Sequence, residues 1–464
     1  MNKIKPRTLS GFMELLPPGQ VCFNAMMQKL RESFSLYGFT PLDTPLMESA
    51  EILLAKGGGE TEKQIYLLRK GDKDLALRYE LTASLAKYAA LYYNDLTFPL
   101  RRYEIGKVYR GERAQRGRFR EFYQADIDII GDGSLDILNE AEVPAVIYKC
   151  LTSLGLRHFV IRMNNRKVLS GFFEILGIGD DAAGEVMRVV DKLEKIGAEK
   201  LSKTLTNDLG LSQTQADKLL DFVTYTGDPF DVLSKYEGQN ERFDTGVGEL
   251  AALNRHMSDF GVPETHFKID LSIARGLDYY TGTVYETLLT GHPEVGSVCS
   301  GGRYDNLAEY YTDRKMPGVG LSIGLTRLFF ILQEQGLLNE SFLSAPADVL
   351  IIPMTDDLSH AAALATSMRE AGLRVQIYSE NKKFKVKVSY ADKLAIPFVV
   401  FLGEDEINRS LITVKDMSSG EQTTASSGIL ITGICDKIKA LRNASPINEA
   451  QKIYSVNSAR SLKY

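Results

Sequence analysis

Alternating apolar and polar residues predict two consecutive strands in the stretch 98–131, FPLRRYEIGKVYRGERAQRGRFREFYQADIDIIG. The first run alternates from Tyr103 to Val108, and the second extends from Phe119 to Ile130. The segment 111–117 between them is polar, contains glycine and lies among arginines. Two such runs around a short polar segment predict an antiparallel hairpin with a basic loop.

The second predicted strand carries polar residues on one face. Side chains alternate between the faces of a strand, so Gln124, Asp126 and Asp128 share one face, opposite Ala125 and Ile127. An amide and two carboxylates under an arginine-rich loop suit a small cationic ligand beside a polyphosphate. A half-exposed hairpin whose polar face meets water explains the same alternation, so the pattern leaves both interpretations open.

Helical spacing dominates two other parts of the chain. Apolar residues recur at helical intervals from Phe23 to Phe34, and Gly38 ends this predicted helix. The segment 39–47 is then extended, with two prolines that suit an edge strand or a bulge. From 177 to 244 the pattern is again helical, and Ser212 is placed to cap one helix. We expect a small helical insertion there, and no residue in it indicates chemistry.

The last third of the chain alternates between strand and helix patterns, which predicts a small α/β domain with a mostly parallel sheet. The predicted order is strand 349–353, helix 358–371, strand 374–378, helix 386–394, strand 398–402 and a helix near 434–441. Five lysines cluster inside this domain: Lys382, Lys383, Lys385, Lys387 and Lys393. Such a cluster is either a solvated helix face or a nucleic-acid contact.

Composition narrows the class of protein. The chain has 464 residues, enough for two or three domains, and a formal net charge of −5, which argues against a nonspecific polycation. Its four cysteines are far apart and its five histidines isolated, so neither a disulfide framework nor a metal site is expected. The N-terminus lacks the apolar core of a signal peptide, and no apolar run reaches membrane-spanning length. We therefore expect a cytoplasmic protein with no membrane contact.

The basic hairpin carries the first resemblance to a known family. The run YRGERAQRGRFREFYQ closely resembles motif 2 of the class II aminoacyl-tRNA synthetases. The resemblance implies that Arg110 holds the α-phosphate of ATP and the amino-acid carboxylate. It also implies that Arg113 and Gln115 read the extra 5′ guanosine of histidine tRNA. The proline that the family has between them is Ala114 here.

A second signature selects one family within this class. RGLDYYTGTVYE, from Arg275 to Glu286, closely resembles the histidine-binding motif of the histidyl-tRNA synthetases. The resemblance implies that Arg275 acts on the α-phosphate and that Tyr280, beside Tyr279, contacts the imidazole. Since neutral imidazole has one donor and one acceptor nitrogen, a carboxylate and a phenol would read both. The family's carboxylate position is Asp128.

Three further stretches complete the expected site. LALRYELTAS, read as extended backbone that projects Arg78, Glu80 and Thr82 to one face, resembles the family's R-x-[ED]-x-T segment, in which the acid and the threonine bind the α-amino group. The hairpin adds Gln124 to the histidine site. SVCSGGRYDNL, with Gly302, and GVGLSIGLTRL, with Arg327, resemble the family's nucleotide-binding segments; the latter is motif 3. ATP is the expected substrate, with Mg²⁺ on its phosphates.

The resemblance extends over about residues 8–443. Near its end, YADKLAIPFVVFLGEDE is similar to the family's anticodon-binding domain. Near its start, the first helix and strand are similar to motif 1, which builds the family's dimer interface. We therefore expect a homodimer whose α+β catalytic domain is built on an antiparallel sheet. The predicted domains are catalytic parts 1–176 and 245–330, a helical insertion 177–244, a linker 331–345, an α/β anticodon-binding domain 346–445 and a tail 446–464.

The implied activity is ligation of L-histidine to histidine tRNA through a histidyl-adenylate. The YELT and DID variants resemble the eukaryote-like branch of the family. One alternative is the non-catalytic, histidine-binding regulatory paralogue of ATP phosphoribosyltransferase, which generally lacks the C-terminal domain and has a degraded motif 2. Another is a tRNA-binding sensor with an inactive site, which should have lost Arg275 or Arg327; both are present.

Overall fold

The computed structural model describes residues 3–55, 60–113, 115–274, 279–338, 345–443 and 446–447. The chain divides into two compact units. One unit comprises residues 1–13 and 29–336, and the other comprises residues 14–28 and 337–464. The finer boundaries expected from the sequence stay predictions.

The first unit is built around a large, mostly antiparallel sheet. Its described strands are β1 (Thr40–Pro41), β2 (Met47–Ser49), β3 (Leu67–Lys70), β4 (Lys73–Leu77), β5 (Leu100–Tyr109), β6 (Glu121–Ile130), β7 (Phe159–Asn165), β8 (Phe267–Ile269), β9 (Thr283–Leu289), β10 (Cys299–Tyr304) and β11 (Gly318–Gly324). Eight of them form the order β1-β5-β6-β11-β10-β9-β7-β8, in which only the β1–β5 and β7–β8 pairs are parallel. The strands β2, β4 and β3 form a separate antiparallel sheet. The expected catalytic fold class is therefore confirmed.

The predicted hairpin is present in the large sheet, as the second and third strands from the edge that β1 forms. Strands β5 and β6 pair antiparallel, with Leu100 opposite Ile130 at one end and Tyr109 opposite Glu121 at the other. The apolar face of β6 is fully buried, because Ala125, Ile127 and Ile129 have no exposed surface. Burial of one face fixes the register, since a slip of one residue would turn these side chains towards the polar face.

Thirteen α-helices are described up to residue 336, and the residues of the first are divided between the two units. The described helices up to residue 336 are α1 (Pro17–Leu36), α2 (Ala50–Leu54), α3 (Glu60–Gln64), α4 (Thr82–Leu91), α5 (Leu138–Leu154), α6 (Arg166–Ile175), α7 (Asp180–Val190), α8 (Leu193–Ile196), α9 (Ala198–Asn207), α10 (Gln213–Val223), α11 (Pro229–Leu233), α12 (Glu241–Asp259) and α13 (Leu325–Glu334). As predicted, Ser212 caps α10, and it does so in a capping box with Gln215. Gly38 follows α1 with φ +72°, the left-handed conformation of a helix end.

Two local predictions in this unit are wrong. The sequence pattern of residues 88–98 predicts a helix, but the helix there begins earlier, at Thr82, and ends at Leu91, with a short 3₁₀ turn at Tyr93–Asp95. The alternation of apolar residues from Phe267 to Ile273 predicts a strand, but the strand there is only three residues long. Alternation alone cannot locate such ends, because they are set by tertiary hydrogen bonds such as the one from Asn164 Nδ2 to the carbonyl of Ile273 at 2.9 Å.

The second unit contains a five-stranded sheet with helices. Its described strands are β12 (Val349–Pro353), β13 (Val375–Ile377), β14 (Phe398–Leu402), β15 (Leu411–Asp416) and β16 (Gln422–Ser426), and its remaining helices are α14 (Ser359–Glu370), α15 (Phe384–Lys393), α16 (Glu404–Arg409) and α17 (Ser427–Arg442). The order is β13-β12-β14-β15-β16, and the pairs that involve β15 are antiparallel. The sheet is therefore mixed, because β15 and β16 form a hairpin that the sequence analysis missed.

One further finding concerns membranes. Within the part of the chain that the structure describes, no helix is both long enough and apolar enough to span a bilayer.

Candidate active site

Residues of the strands β6, β9, β10 and β11 line a cavity in the first unit. Along β6, Asp126 lies opposite Ser322 of β11, and Asp128 lies opposite Gly320. A cavity of about 370 Å³ is lined by these two aspartates and by Gln124, among others. Gly320 is required, since a Cβ there would lie 2.1 Å from Asp128 Oδ1. The face of β6 that the sequence predicts to be polar thus faces this cavity.

Two buried arginines of the floor pair with carboxylates. Arg102 Nη2 lies 2.8 Å from Asp128 Oδ2, and Arg102 Nη1 lies 3.7 Å from Glu104 Oε2. Arg78 Nη1 donates to Glu104 Oε1 at 2.6 Å. All four side chains are at least 97% buried. The expectation that Arg78 projects beside Glu80 and Thr82 is therefore wrong: Arg78 pairs with Glu104 and is not among the cavity-lining residues.

Glu80 is held at the N-terminus of α4. Its Oε1 accepts from the backbone N–H of Ala83 at 2.6 Å, and its Oε2 accepts from the N–H of Thr82 at 3.3 Å and from the hydroxyl of Tyr279 at 3.0 Å. The predicted extended backbone is wrong from Thr82 onwards, because these hydrogen bonds satisfy free N–H groups of a helix start. Burial raises the pKa of Glu80, while the Ala83 and Tyr279 hydrogen bonds and the charge of Arg110 lower it. Both Glu80 and Thr82 line the cavity.

Tyrosines form another part of the lining. Tyr304 donates to Asp128 Oδ1 at 2.8 Å, and Tyr279 packs edge-on against both Tyr280 and Tyr304. All three tyrosines line the cavity together with Asp128. Gly302 does not line it; a Cβ on Gly302 would lie 3.0 Å from the ring of Tyr280, so this glycine makes room for that ring. Tyr304 lies in the stretch SVCSGGRYDNL, but no role was predicted for it from the sequence.

Arginines approach the same cavity. Arg110 and Arg327 both line it. Arg110 Nε donates to the carbonyl of Tyr79 at 3.0 Å, with its guanidinium 5.2 Å from the ring centroid of Phe122, and Arg327 Nη2 donates to the carbonyl of Val295. These contacts fix each guanidinium against the cavity wall. The third predicted cation, Arg275, lies outside the described residues.

Only some residues of the hairpin loop line the cavity. Arg113 and Gln115 are exposed and are not among the residues that line the cavity, while Ala114 between them lies outside the described residues. Arg118 and Glu112 do line it, and Arg118 Nη1 lies 3.4 Å from Glu112 Oε2. The sequence analysis gave neither of these two a role.

Asp126 has the least satisfied carboxylate of the floor. Its side chain is 2% exposed, and its Oδ1 has no hydrogen-bond partner within the described residues. Burial raises the pKa of Asp126 well above its ordinary value, and the nearby carboxylates of Asp128 and Glu80 raise it further. Gln124 is similar: its Nε2 donates to Ser322 Oγ at 2.5 Å, and its Oε1 is buried without a partner in the described structure. Strand alternation had placed Asp126 on this face, but the resemblance gave it no role.

Metal-binding geometry is not found in the described ranges, where no three His, Cys, Asp or Glu side chains are grouped to hold an ion. The lining of the cavity contains both hydrogen-bond acceptors and guanidinium groups. That combination can bind a cationic amino acid together with a polyanion.

Comparison with known proteins identifies families for both units. A family profile described as histidyl-tRNA synthetase matches residues 11–328. A second profile, described as an anticodon-binding domain, matches residues 348–437. Together the two matches extend over most of the chain.

Individual relatives agree with these profiles. The chain is 50% identical over 444 residues to the histidine–tRNA ligase of Clostridium tetani, covering 95% of this chain and 99% of the relative. It is 40% identical to the crystal structure of histidyl-tRNA synthetase from Nostoc, with a TM-score of 0.86 and coverage of 94% and 100%. A protein from Bacillus halodurans, titled as an ATP phosphoribosyltransferase regulatory subunit or histidyl-tRNA synthetase, shares 22% identity with a TM-score of 0.71 over 87% and 99% of the chains, which shows the fold alone.

Proposed function

The chain belongs to the histidyl-tRNA synthetase family, and from this premise we propose that it ligates L-histidine to histidine tRNA, using ATP, through a histidyl-adenylate. The observation that supports this function most is the shared cavity. Glu80, Asp128 and Tyr280 line it together with Arg110 and Arg327. Acceptors for an amino acid and cations for a triphosphate therefore belong to one site.

Histidine is proposed to bind along β6 and the start of α4. Glu80, Thr82 and Gln124 receive the α-ammonium group, and Tyr279 orients Glu80 through its hydrogen bond at 3.0 Å. Asp128 and Tyr280 contact the imidazole ring, one as an acceptor and the other as a donor. Because a site built to hydrogen-bond its substrate rejects analogues that lack those groups, this pocket alone supplies selectivity.

ATP is proposed to bind at the arginines. Arg110, Arg275 and Arg327 surround the triphosphate. Gly302, which the resemblance assigns to ATP binding, makes room for the ring of Tyr280 in the proposed histidine pocket. A carboxylate oxygen of histidine attacks the α-phosphorus in line, and the bond to pyrophosphate breaks. The protein contributes positioning and charge stabilisation. Mg²⁺ is proposed as part of the ATP substrate, bound to its phosphate oxygens and neutralising their charge.

Transfer RNA is proposed to contact both units. The exposed Arg113 and Gln115 read the 5′ end of histidine tRNA, whose 3′-terminal ribose hydroxyl attacks the acyl carbonyl of the adenylate and releases AMP. The second unit reads the anticodon, in keeping with its family profile. The lysines of the segment 382–393 are the candidates for phosphate contacts, because Lys–phosphate pairs dominate such affinity.

Two finer expectations, the location and the oligomeric state, remain proposals. We propose a cytoplasmic homodimer, by analogy with the family. The assignment to the eukaryote-like branch, inferred from YELT and DID, gains no support from the bacterial relatives with which the chain shares 50% and 44% identity. The 22% likeness to the regulatory subunit concerns the fold, and the second unit and the retained arginines favour the catalytic reading over that rival.

Histidine-dependent exchange of pyrophosphate into ATP tests this function. The purified chain should catalyse exchange with histidine and with none of the other nineteen amino acids. Histidine binding without exchange would favour the regulatory rival instead. Arg275→Ala should nearly abolish exchange while histidine binding persists; unchanged exchange would remove the role given to Arg275.

A further inference from the structure

We propose that Asp126 is a second specificity-determining carboxylate of the histidine pocket, whose free Oδ1 accepts a hydrogen bond from an imidazole N–H of bound histidine. The inference rests on the proposed function and extends it to a residue without an assigned role. It starts from the position of Asp126 on β6, between Gln124 and Asp128 on the cavity-facing side.

Asp126 is buried without a full set of hydrogen-bond partners among the described residues. Only 2% of its surface is exposed, and its Oδ1 has no hydrogen-bond donor among the described residues. A buried polar atom without a partner is destabilising, so native proteins retain such atoms mainly where a ligand satisfies them. Ser322, directly opposite on β11, is the hydrogen-bonding neighbour of the carboxylate.

The other carboxylates of the cavity floor have charged or hydrogen-bonding partners. Arg78 is 2.6 Å from Glu104, and Arg102 is 2.8 Å from Asp128, so each of these two carboxylates has a guanidinium in direct contact. Glu80 instead has three hydrogen-bond donors. Asp126 has neither a guanidinium within ion-pair distance nor a backbone N–H among its described contacts. A donor supplied by the substrate is therefore needed most at Asp126.

The donor that we assign to Asp126 is the imidazole N–H of histidine. Histidine offers an α-ammonium group and an imidazole N–H. The ammonium matches Glu80, whose hydrogen bonds hold it as a ready acceptor. Asp128 already contacts Arg102 and Tyr304 through its two oxygens. The neighbouring Oδ1 of Asp126 has no partner among the described residues, so it can share the single imidazole N–H with Asp128, while Tyr280 donates to the other ring nitrogen.

Asp126→Asn tests the proposal because it keeps the shape and removes the charge. We expect the KM for histidine in pyrophosphate exchange to rise about 10- to 100-fold, because one hydrogen bond to a charged group is lost. The KM for ATP should be unchanged. Wild type should also reject one of the two N-methyl isomers of histidine, the one whose methyl group replaces the N–H facing Asp126. The variant should lose most of that discrimination, which a merely structural residue would not affect.

Glu104→Gln is the matched control. It removes a buried carboxylate from the same floor, but Glu104 pairs with Arg78 and, at 3.7 Å, with Arg102, and it does not line the cavity. We expect a lower melting temperature and an unchanged preference between histidine and its methylated isomers. If Asp126→Asn fails to fold, Asp126→Ser, which is smaller and neutral, should show the same loss of discrimination.

The outcomes separate the two claims. No exchange by wild type would overturn the proposed function itself. Exchange by wild type, together with a histidine KM within twofold and full discrimination in Asp126→Asn or Asp126→Ser, would overturn the role of Asp126 alone.

Discussion

Two buried aspartates, one in each unit, show how differently the same side chain can be used. Asp348 of the second unit has no exposed surface; its carboxylate accepts from the backbone N–H of Arg374 at 2.7 Å, from Arg374 Nη2 at 2.7 Å and from Arg442 Nη2 at 2.6 Å. Asp126 of the first unit is almost as buried, yet its Oδ1 has no partner in the described structure. Burial alone therefore does not separate a structural carboxylate from a functional one, whereas the state of its hydrogen bonds does.

The largest effect is expected where a compensating charge is removed from the first unit. Arg102→Met should lower the free energy of unfolding by about 3–5 kcal/mol, because it leaves Asp128 and Glu104 buried without this guanidinium. Urea unfolding followed by circular dichroism measures the change. Arg69→Met, which breaks an exposed pair with Asp74, is the control and should change stability by less than about 1 kcal/mol. Equal effects of the two substitutions would show that the buried pairs do not stabilise the floor.

A smaller effect is expected from the compensated aspartate of the second unit. Asp348→Asn should destabilise that unit by about 2–3 kcal/mol, since it weakens the hydrogen bonds from Arg374 and Arg442, whose side chains are partly exposed and can be rehydrated. Hydrogen exchange read by mass spectrometry can follow each unit separately. Faster exchange in residues 349–442 with unchanged exchange in β5 and β6 is the expected result, and a uniform increase throughout the chain would contradict it.

The smallest effect, and one of opposite sign, is expected at Asp126. Burial raises the pKa of Asp126, and the charges of Asp128 and Glu80 raise it further. The charge of Arg102 and a hydrogen bond from Ser322 lower this pKa. Glu104 lies opposite Asp126 on β5. The folded protein thus holds a proton that the unfolded chain releases, so this contribution to stability is present at low pH and is lost as pH rises through the folded pKa. Asp126→Asn should therefore be nearly neutral at pH 5 and stabilising by about 1 kcal/mol at pH 8.

Melting temperatures of the ligand-free protein at these two pH values check the last prediction. The difference between variant and wild type should increase with pH. A difference that is constant, or that decreases towards pH 8, would mean that Asp126 is compensated in the folded protein and is closer to Asp348 than proposed.

Much of the site follows from the sequence because strand alternation is a local rule. It places Gln124, Asp126 and Asp128 on one face of β6, and the structure has all three at the cavity. The motifs add Arg110 and Arg327 to the same lining. These residues lie far apart along the chain, so only the resemblance to a family brought them together before the structure was known.

Other features depend on contacts that no local pattern contains. Thr82 begins a helix because Glu80 accepts from the N–H groups that follow it, and Arg78 turns to Glu104 on another strand. The β15–β16 hairpin was missed because its outer strand, Gln422–Ser426, is short and polar, with little apolar alternation to reveal it. That Oδ1 of Asp126 has no partner among the described residues becomes visible only when the donors around it have positions.

The glycines beside the pocket limit how far it can be redesigned. A Cβ on Gly320 would strike Asp128 at 2.1 Å, and one on Gly302 would lie 2.6 Å from the carbonyl oxygen of Thr283 and 3.0 Å from the ring of Tyr280. Neither glycine has a side chain that could be shortened, so no substitution at these two positions can enlarge the pocket. A library meant to accept bulkier unnatural amino acids should leave both positions untouched and vary the tyrosines instead.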